Sequence, residues 1–163
     1  MVLWFAVLAT VLVAEIFRSP MVDYRMVALG ALLPLIEVVI GRVFFLHTLL
    51  APVLVLTLVM ATTSGRRLRR RRLLGIPIGM FFHLILDATW ADTALFWWPV
   101  AGLDLSDRVV PERGQSPLLT LLLELVAVGV GVWAYRRYGL DDPDNRRRLL
   151  TTGHLDRSVL RPG

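Results

Sequence analysis

The stretch GMFFHLILDATW, residues 79–90, carries a histidine and an aspartate four positions apart inside an otherwise apolar run. On an α-helix, positions i and i+4 share a face one turn apart, so His83 and Asp87 would aim at one point. The other acidic or imidazole groups within apolar blocks are Glu15, Glu37, His47 and Glu124. Imidazoles and carboxylates converging on one place are a donor set that Zn²⁺, Mn²⁺ and Fe²⁺ accept. The chain has no cysteine, so neither disulfides nor thiolate ligands are available and any metal site must use these groups.

The elements that must position them are apolar and long. With 163 residues, 56% of them hydrophobic, and a mean hydropathy of +0.63, the composition exceeds that of an ordinary soluble domain. Five apolar segments emerge, at residues 2–17, 26–40, 43–63, 73–90 and 117–135, near the length of about 20 residues that a spanning helix needs. They predict an all-α, polytopic membrane bundle with about five transmembrane helices over residues 1–138. Pro34 predicts a kink or break in the second segment. The first segment is read as a retained helix, not a secretory signal, because no basic residue precedes it and no convincing cleavage site follows. Residues 139–163 mix charge with proline and glycine and predict a flexible tail with room for a short surface helix; His154 there is expected to be solvated.

The 18 basic residues are all arginine, a usage that goes with a GC-rich bacterial genome. A calculated pI of 10.9 would suit a nucleic-acid binder, but the arginines flank apolar segments and no recognition motif is present, so that class is set aside. Arg18 and Arg25, the run RRLRRRR at residues 66–72, and Arg136 with Arg137 all face the cytoplasm if the N-terminus is outside, which places the chain in the bacterial inner membrane with a cytoplasmic C-terminus. The arginine run reads first as a topology signal and second as a clamp for anionic lipid. Trp4, Trp90, Phe96, Trp97 and Trp98 would then mark the outer interface.

That orientation gives each titratable residue a depth. At a rise of about 1.5 Å per residue, Glu37, His47, His83, Asp87 and Glu124 all fall roughly 5 to 10 Å below the outer ends of their helices. Glu15 sits at the inner end of the first helix, where pairing with Arg18 or snorkelling would accommodate it. An intramembrane acid costs about 2.5–3.5 kcal/mol at a helix centre, so the outer group must find partners: a metal, or polar contacts across helices.

A resemblance coincides with these residues. LLPLIE at residues 32–37, LHTLL at 46–50, HLILDATW at 83–90 and WWP at 97–99 together resemble the YdjM-like family of membrane-bound metal-dependent hydrolases, over about residues 30–102. That family tends to show Leu-Pro-Asp-x-Asp, a His followed by Ser or Thr, His-x-x-x-Asp-x-x-Thr, and a later Trp-Pro. The resemblance implies metal roles for His47, His83 and Asp87, and for Glu37 at the place of the second aspartate. Leu35 replaces the family's first aspartate and Arg42 an additional histidine, which favours one metal over two.

The expected chemistry is hydrolysis assisted by one divalent metal, zinc first and manganese or iron next. His47, His83 and Asp87 would be ligands, and Glu37 a fourth ligand or the general base, with Glu124 a weaker candidate for that base. Thr89 and Asp92 are close enough in sequence to orient a ligand from behind. Arg42 could hold a phosphate or carboxylate of the substrate. A site just below the outer interface suits a membrane lipid or a lipid-linked ester, phosphoester or amide. The competing class is a non-catalytic membrane subunit whose polar residues fix packing or hold a structural metal; a transport or proton-relay role would use Glu37 and Glu124. Exposed helix faces leave room for a homodimer or a membrane complex.

Overall fold

Three prolines decide where the apolar segments stop being helix. A proline removes a backbone donor, and its ring clashes with the carbonyl four residues earlier. Pro34 splits the second segment into α2 (Tyr24–Leu32) and α3 (Leu35–Ile40). Pro52 stands at the third position of α4 (Leu50–Thr62), so that helix cannot extend back toward residue 43. Pro77 stands at the same position of α6 (Gly75–Leu86) and separates it from α5 (Arg67–Leu73), which holds most of the arginine run. The other helices are α1 (Val2–Phe17), α7 (Thr93–Phe96), α8 (Pro117–Arg137) and α9 (Pro143–Thr152), with a 3-10 turn at Thr89–Ala91. This computed structural model describes residues 1–41, 45–104 and 114–160, and all regular structure among them is helical.

The expected five full spans are not what these lengths give. Among the described residues, α8 is the one helix long and apolar enough to cross a membrane by itself, while α1 and α4 are shorter apolar helices. At about 1.5 Å per residue, α6 covers roughly 18 Å of a hydrocarbon core about 30 Å thick. It ends at Leu86 because Asp87 is its C-cap and Ala88 turns into the left-handed region at φ 57°.

The tightest pairing is α2 against α6, with α1 lying across α2 and α8, and α4 on the far side of α6. Glycine makes the α2–α6 approach. A Cβ at Gly79 would lie 2.0 Å from the Val27 carbonyl oxygen, and one at Gly30 would lie 2.1 Å from the Ile76 carbonyl oxygen. Small residues at this interface let two backbones touch, as in membrane helix pairs. Phe5, Ala9 and Val13 of α1 are fully buried over this pair, together with Val27 and Ala31 of α2.

Two carboxylates tie α1 to α8. Near one end Glu124 accepts from the Leu3 amide at 3.2 Å and lies 3.4 Å from the Met1 amine. At the other, Glu15 accepts from the Tyr138 hydroxyl at 3.0 Å and lies 4.0 Å from Arg137 Nε. Burial and that hydrogen bond hold the phenol of Tyr138 protonated well above its ordinary range. Arg18, the expected partner of Glu15, instead donates to its main-chain carbonyl.

The tail is packed where composition suggested flexibility. Asp142 caps α9, Gly153 ends it at φ 78°, and Leu155 and Leu160 join the core beside Tyr138. The Tyr24 amide donates to the Gly153 carbonyl at 2.7 Å, and His154 Nδ1 donates to the Val22 carbonyl at 3.0 Å. His154 is therefore bonded rather than simply solvated.

Gly79→Ala should lower the stability of the purified protein by about 3 kcal/mol, because the clash is with backbone and no rotamer relieves it. Gly129→Ala in α8 meets open space and should change stability by about 1 kcal/mol or less, toward greater stability. Equal thermal unfolding midpoints for the two variants would contradict the packing described.

Candidate metal centre

The i, i+4 spacing works as the sequence implies. His83 occupies the last turn of α6 and Asp87 its C-cap, one turn on. Gly75, Gly79, His83 and Asp87 form a four-residue row, so the glycines that bring α2 close also bring His83 under it. His83 Nδ1 donates to the Ala31 carbonyl at 2.7 Å, just where Pro34 interrupts the helical ladder. A carbonyl can only accept, so the proton is on Nδ1 and the lone pair of His83 is at Nε2. Phe5 stacks on the same ring at a centroid distance of 3.9 Å.

His47 arrives from a loop instead of a helix. Sequence reasoning placed it inside the third span, but residues 45–49 are turns because Pro52 prevents α4 from starting earlier. Glu37 holds this loop. Its Oε1 accepts from the Leu46 amide at 2.7 Å and its Oε2 from His47 Nδ1 at 2.7 Å. The Leu49 amide donates to the Phe96 carbonyl at 3.0 Å, which closes the α7 segment over the loop. The Glu37 carboxylate fixes the His47 ring through Nδ1, and the two imidazoles meet edge to face at 5.3 Å.

The result is a buried group of three donors. Ligand atoms of His47, His83 and Asp87 all lie within 4.8 Å of one another, close enough to hold a metal ion. Both histidines are fully buried and Asp87 is 5% exposed. Thr89 donates its hydroxyl to Asp87 Oδ2 at 2.9 Å, so each of the three ligand side chains is held by a neighbour from behind. Charge fits as well. Glu37 and Asp87 are two buried carboxylates beside two imidazoles, and a divalent cation would neutralise their summed charge, which burial otherwise penalises.

Several expectations need correction. Glu37 is not in the three-donor group; its two oxygens accept from the Leu46 amide and His47 Nδ1, which sets it behind His47. Glu124 shares the predicted end of the bundle but serves the start of α1. Asp92 Oδ1 caps α7, accepting from the Ala94 and Leu95 amides at 3.2 and 3.1 Å. Arg42, the expected substrate-binding residue, lies outside the described residues. Phe5 and the Ala31 carbonyl were missed. The Gly75-x-x-x-Gly79 row leading into His83 would have pointed to a close neighbour, whereas nothing local marks Phe5.

Glu37→Gln should weaken Zn²⁺ binding about 10- to 100-fold in a chelator competition assay, because an amide offers one acceptor and one donor group to two N–H donors. Unchanged affinity in a well-folded variant would remove Glu37 from the centre. Comparisons with family models, with curated proteins and with solved structures each find no match, so the reading of this centre rests on its own geometry.

Proposed function

We propose that the protein is a multi-pass protein of the bacterial inner membrane that hydrolyses an ester, phosphoester or amide of a lipid or lipid-linked molecule near the outer interface. The observation that carries this reading is a group of three donors, His47, His83 and Asp87, each fixed from behind. Three protein ligands with one remaining position are the pattern of catalytic zinc, whereas structural zinc is usually closed by four. One divalent ion, zinc first and manganese or iron next, would supply Lewis acidity and a hydroxide-like water near neutral pH.

The chain's own residues set the conditions. Glu37 keeps the proton of His47 on Nδ1, and the Ala31 carbonyl does the same for His83, so both rings present Nε2 inward. Phe5 walls the His83 side and excludes water from it. Leu49, two residues after His47, lines two apolar clefts. One, of about 200 Å³, is shared with Phe96, Trp97 and Pro99; the other, of about 370 Å³, with Phe17, Pro52 and Phe82. Clefts of this character beside the His47 loop suit an acyl chain better than a polar metabolite.

Membrane placement is supported by α8, whose outward side chains include Leu118, Leu122, Leu125, Val128 and Val132. It is supported too by the division of the bundle into an arginine end and a metal end. With five passes and the N-terminus outside, the arginines of α5 and those following α1 and α8 face the cytoplasm. The shorter helices would reach across by adding their neighbours, α3 to α2 and α5 to α6.

One observation favours a second reading. The three donors are sealed from solvent, as suits a metal that staples the His47 loop to α6 in a non-catalytic subunit. Elemental analysis of purified protein should find about one divalent metal per chain, lost from both His83→Ala and Asp87→Ala. Lipid extracts of cells with and without the gene, compared by mass spectrometry, should differ in one lipid class. Metal without a lipid difference would support the structural staple; folded protein without metal would end both readings.

A further inference from the structure

The arginine end contains a second built feature. A notch of about 240 Å³ opens between the start of α2, the end of α5 and the end of α9, lined by Asp23, Arg25, Arg71, Arg72 and His154, with Met21 and Leu68 among its apolar residues. Asp23 is fully buried and serves as the N-cap of α2. Its Oδ1 accepts from Arg25 Nε at 3.2 Å, while its Oδ2 accepts from Arg25 Nη2 at 3.1 Å and lies 3.4 Å from Arg72 Nε. Arg25 also donates from Nη1 to the Leu150 and Thr151 carbonyls at 2.9 Å, which seats the end of α9 on the notch.

Two guanidinium groups thus meet one carboxylate, which is consumed in orienting them, and a third, that of Arg71, lines the same notch. A topology signal needs charge in a cytoplasmic loop but no fixed geometry. Here a buried acid and a docked C-terminal helix hold the geometry, and the exposed outer edges of Arg71 and Arg72 are left toward solvent. Guanidinium forks bind phosphate oxygens in pairs. Beside them Leu68 is 80% and Met21 46% exposed, an apolar rim that an inorganic ion would not use.

We propose that this notch binds the phosphate of an anionic glycerophospholipid from the cytoplasmic leaflet, with the glycerol and proximal acyl chains against Leu68 and Met21. The lipid would tie α5 and α9 to the start of α2, at the opposite end of the α2–α6 pair from the metal centre. The proposal rests on the membrane placement above and is independent of the metal.

The test is calorimetric titration of the full-length protein in neutral detergent with short-chain phosphatidylglycerol, short-chain phosphatidylcholine and inorganic phosphate in separate arms. Saturable binding of phosphatidylglycerol alone is expected. Arg71→Ala/Arg72→Ala should weaken it by tenfold or more, because the notch loses its paired phosphate donors, while Arg66→Ala/Arg69→Ala, which removes equal charge from outside the notch, should weaken it far less. Both pairs are on the exposed arginine segment, and an unchanged unfolding midpoint checks that each variant is folded. Equal binding of the two lipids, equal losses in the two variants, or full saturation by inorganic phosphate would each overturn the lipid site. The wild-type metal content is unaffected by any of these outcomes, so failure here is distinct from failure of the hydrolase reading.

Discussion

The backbone contact between α2 and α6 is the constraint on which the rest depends. Gly30 and Gly79 allow carbonyl groups of each helix to approach where a Cβ of the other would stand. That closeness puts the Ala31 carbonyl within hydrogen-bonding range of His83, and the bond fixes both the orientation and the proton of the ring. Close van der Waals contact and such cross-helix hydrogen bonds hold the two helices together. The same contact therefore supports the fold and prepares a donor.

Proline has the complementary role of making irregular backbone. Pro34 breaks a helix beside the carbonyl that His83 needs, and Pro52 leaves residues 45–49 out of α4 so that His47 can turn toward His83. A loop within an apolar bundle carries polar groups that must be satisfied. Glu37 meets that need for Leu46 and His47 with its two oxygens. A buried acid that looked like a ligand is thus a support, and the centre's inner group reduces to three residues.

The two ends of the α2–α6 pair are organised by the same means and toward opposite charges. At one, carboxylates and imidazoles converge on a place suited to a cation; at the other, buried Asp23 arranges Arg25 and Arg72 around a place suited to an anion. In each case one buried acid is spent on positioning its partners. Both arrangements join segments far apart in the chain, residues 37–47 with 83–87, and 23–25 with 72 and 150–154.

The sequence by itself determined that the chain is helical and apolar, that Pro34 breaks its second segment, that most arginines cluster between the apolar runs, and that His83 and Asp87 share a helix face. These follow from periodicity, fixed backbone chemistry and composition, which are local. Helix lengths were legible only in part, because an apolar run does not reveal where the next proline or left-handed residue will stop it, as at Leu50 and Ala88. The sequence also offered His47 as a ligand and Thr89, two residues from Asp87, as its support; the tertiary structure alone decided that His47 comes from a loop, that Glu37 stands behind it, that Glu124 serves α1, and that the tail packs on α2. Each of those depends on which distant segment lies alongside, a property of two surfaces together that neither stretch of residues contains alone; between α2 and α6 it is glycine-sized gaps that set it.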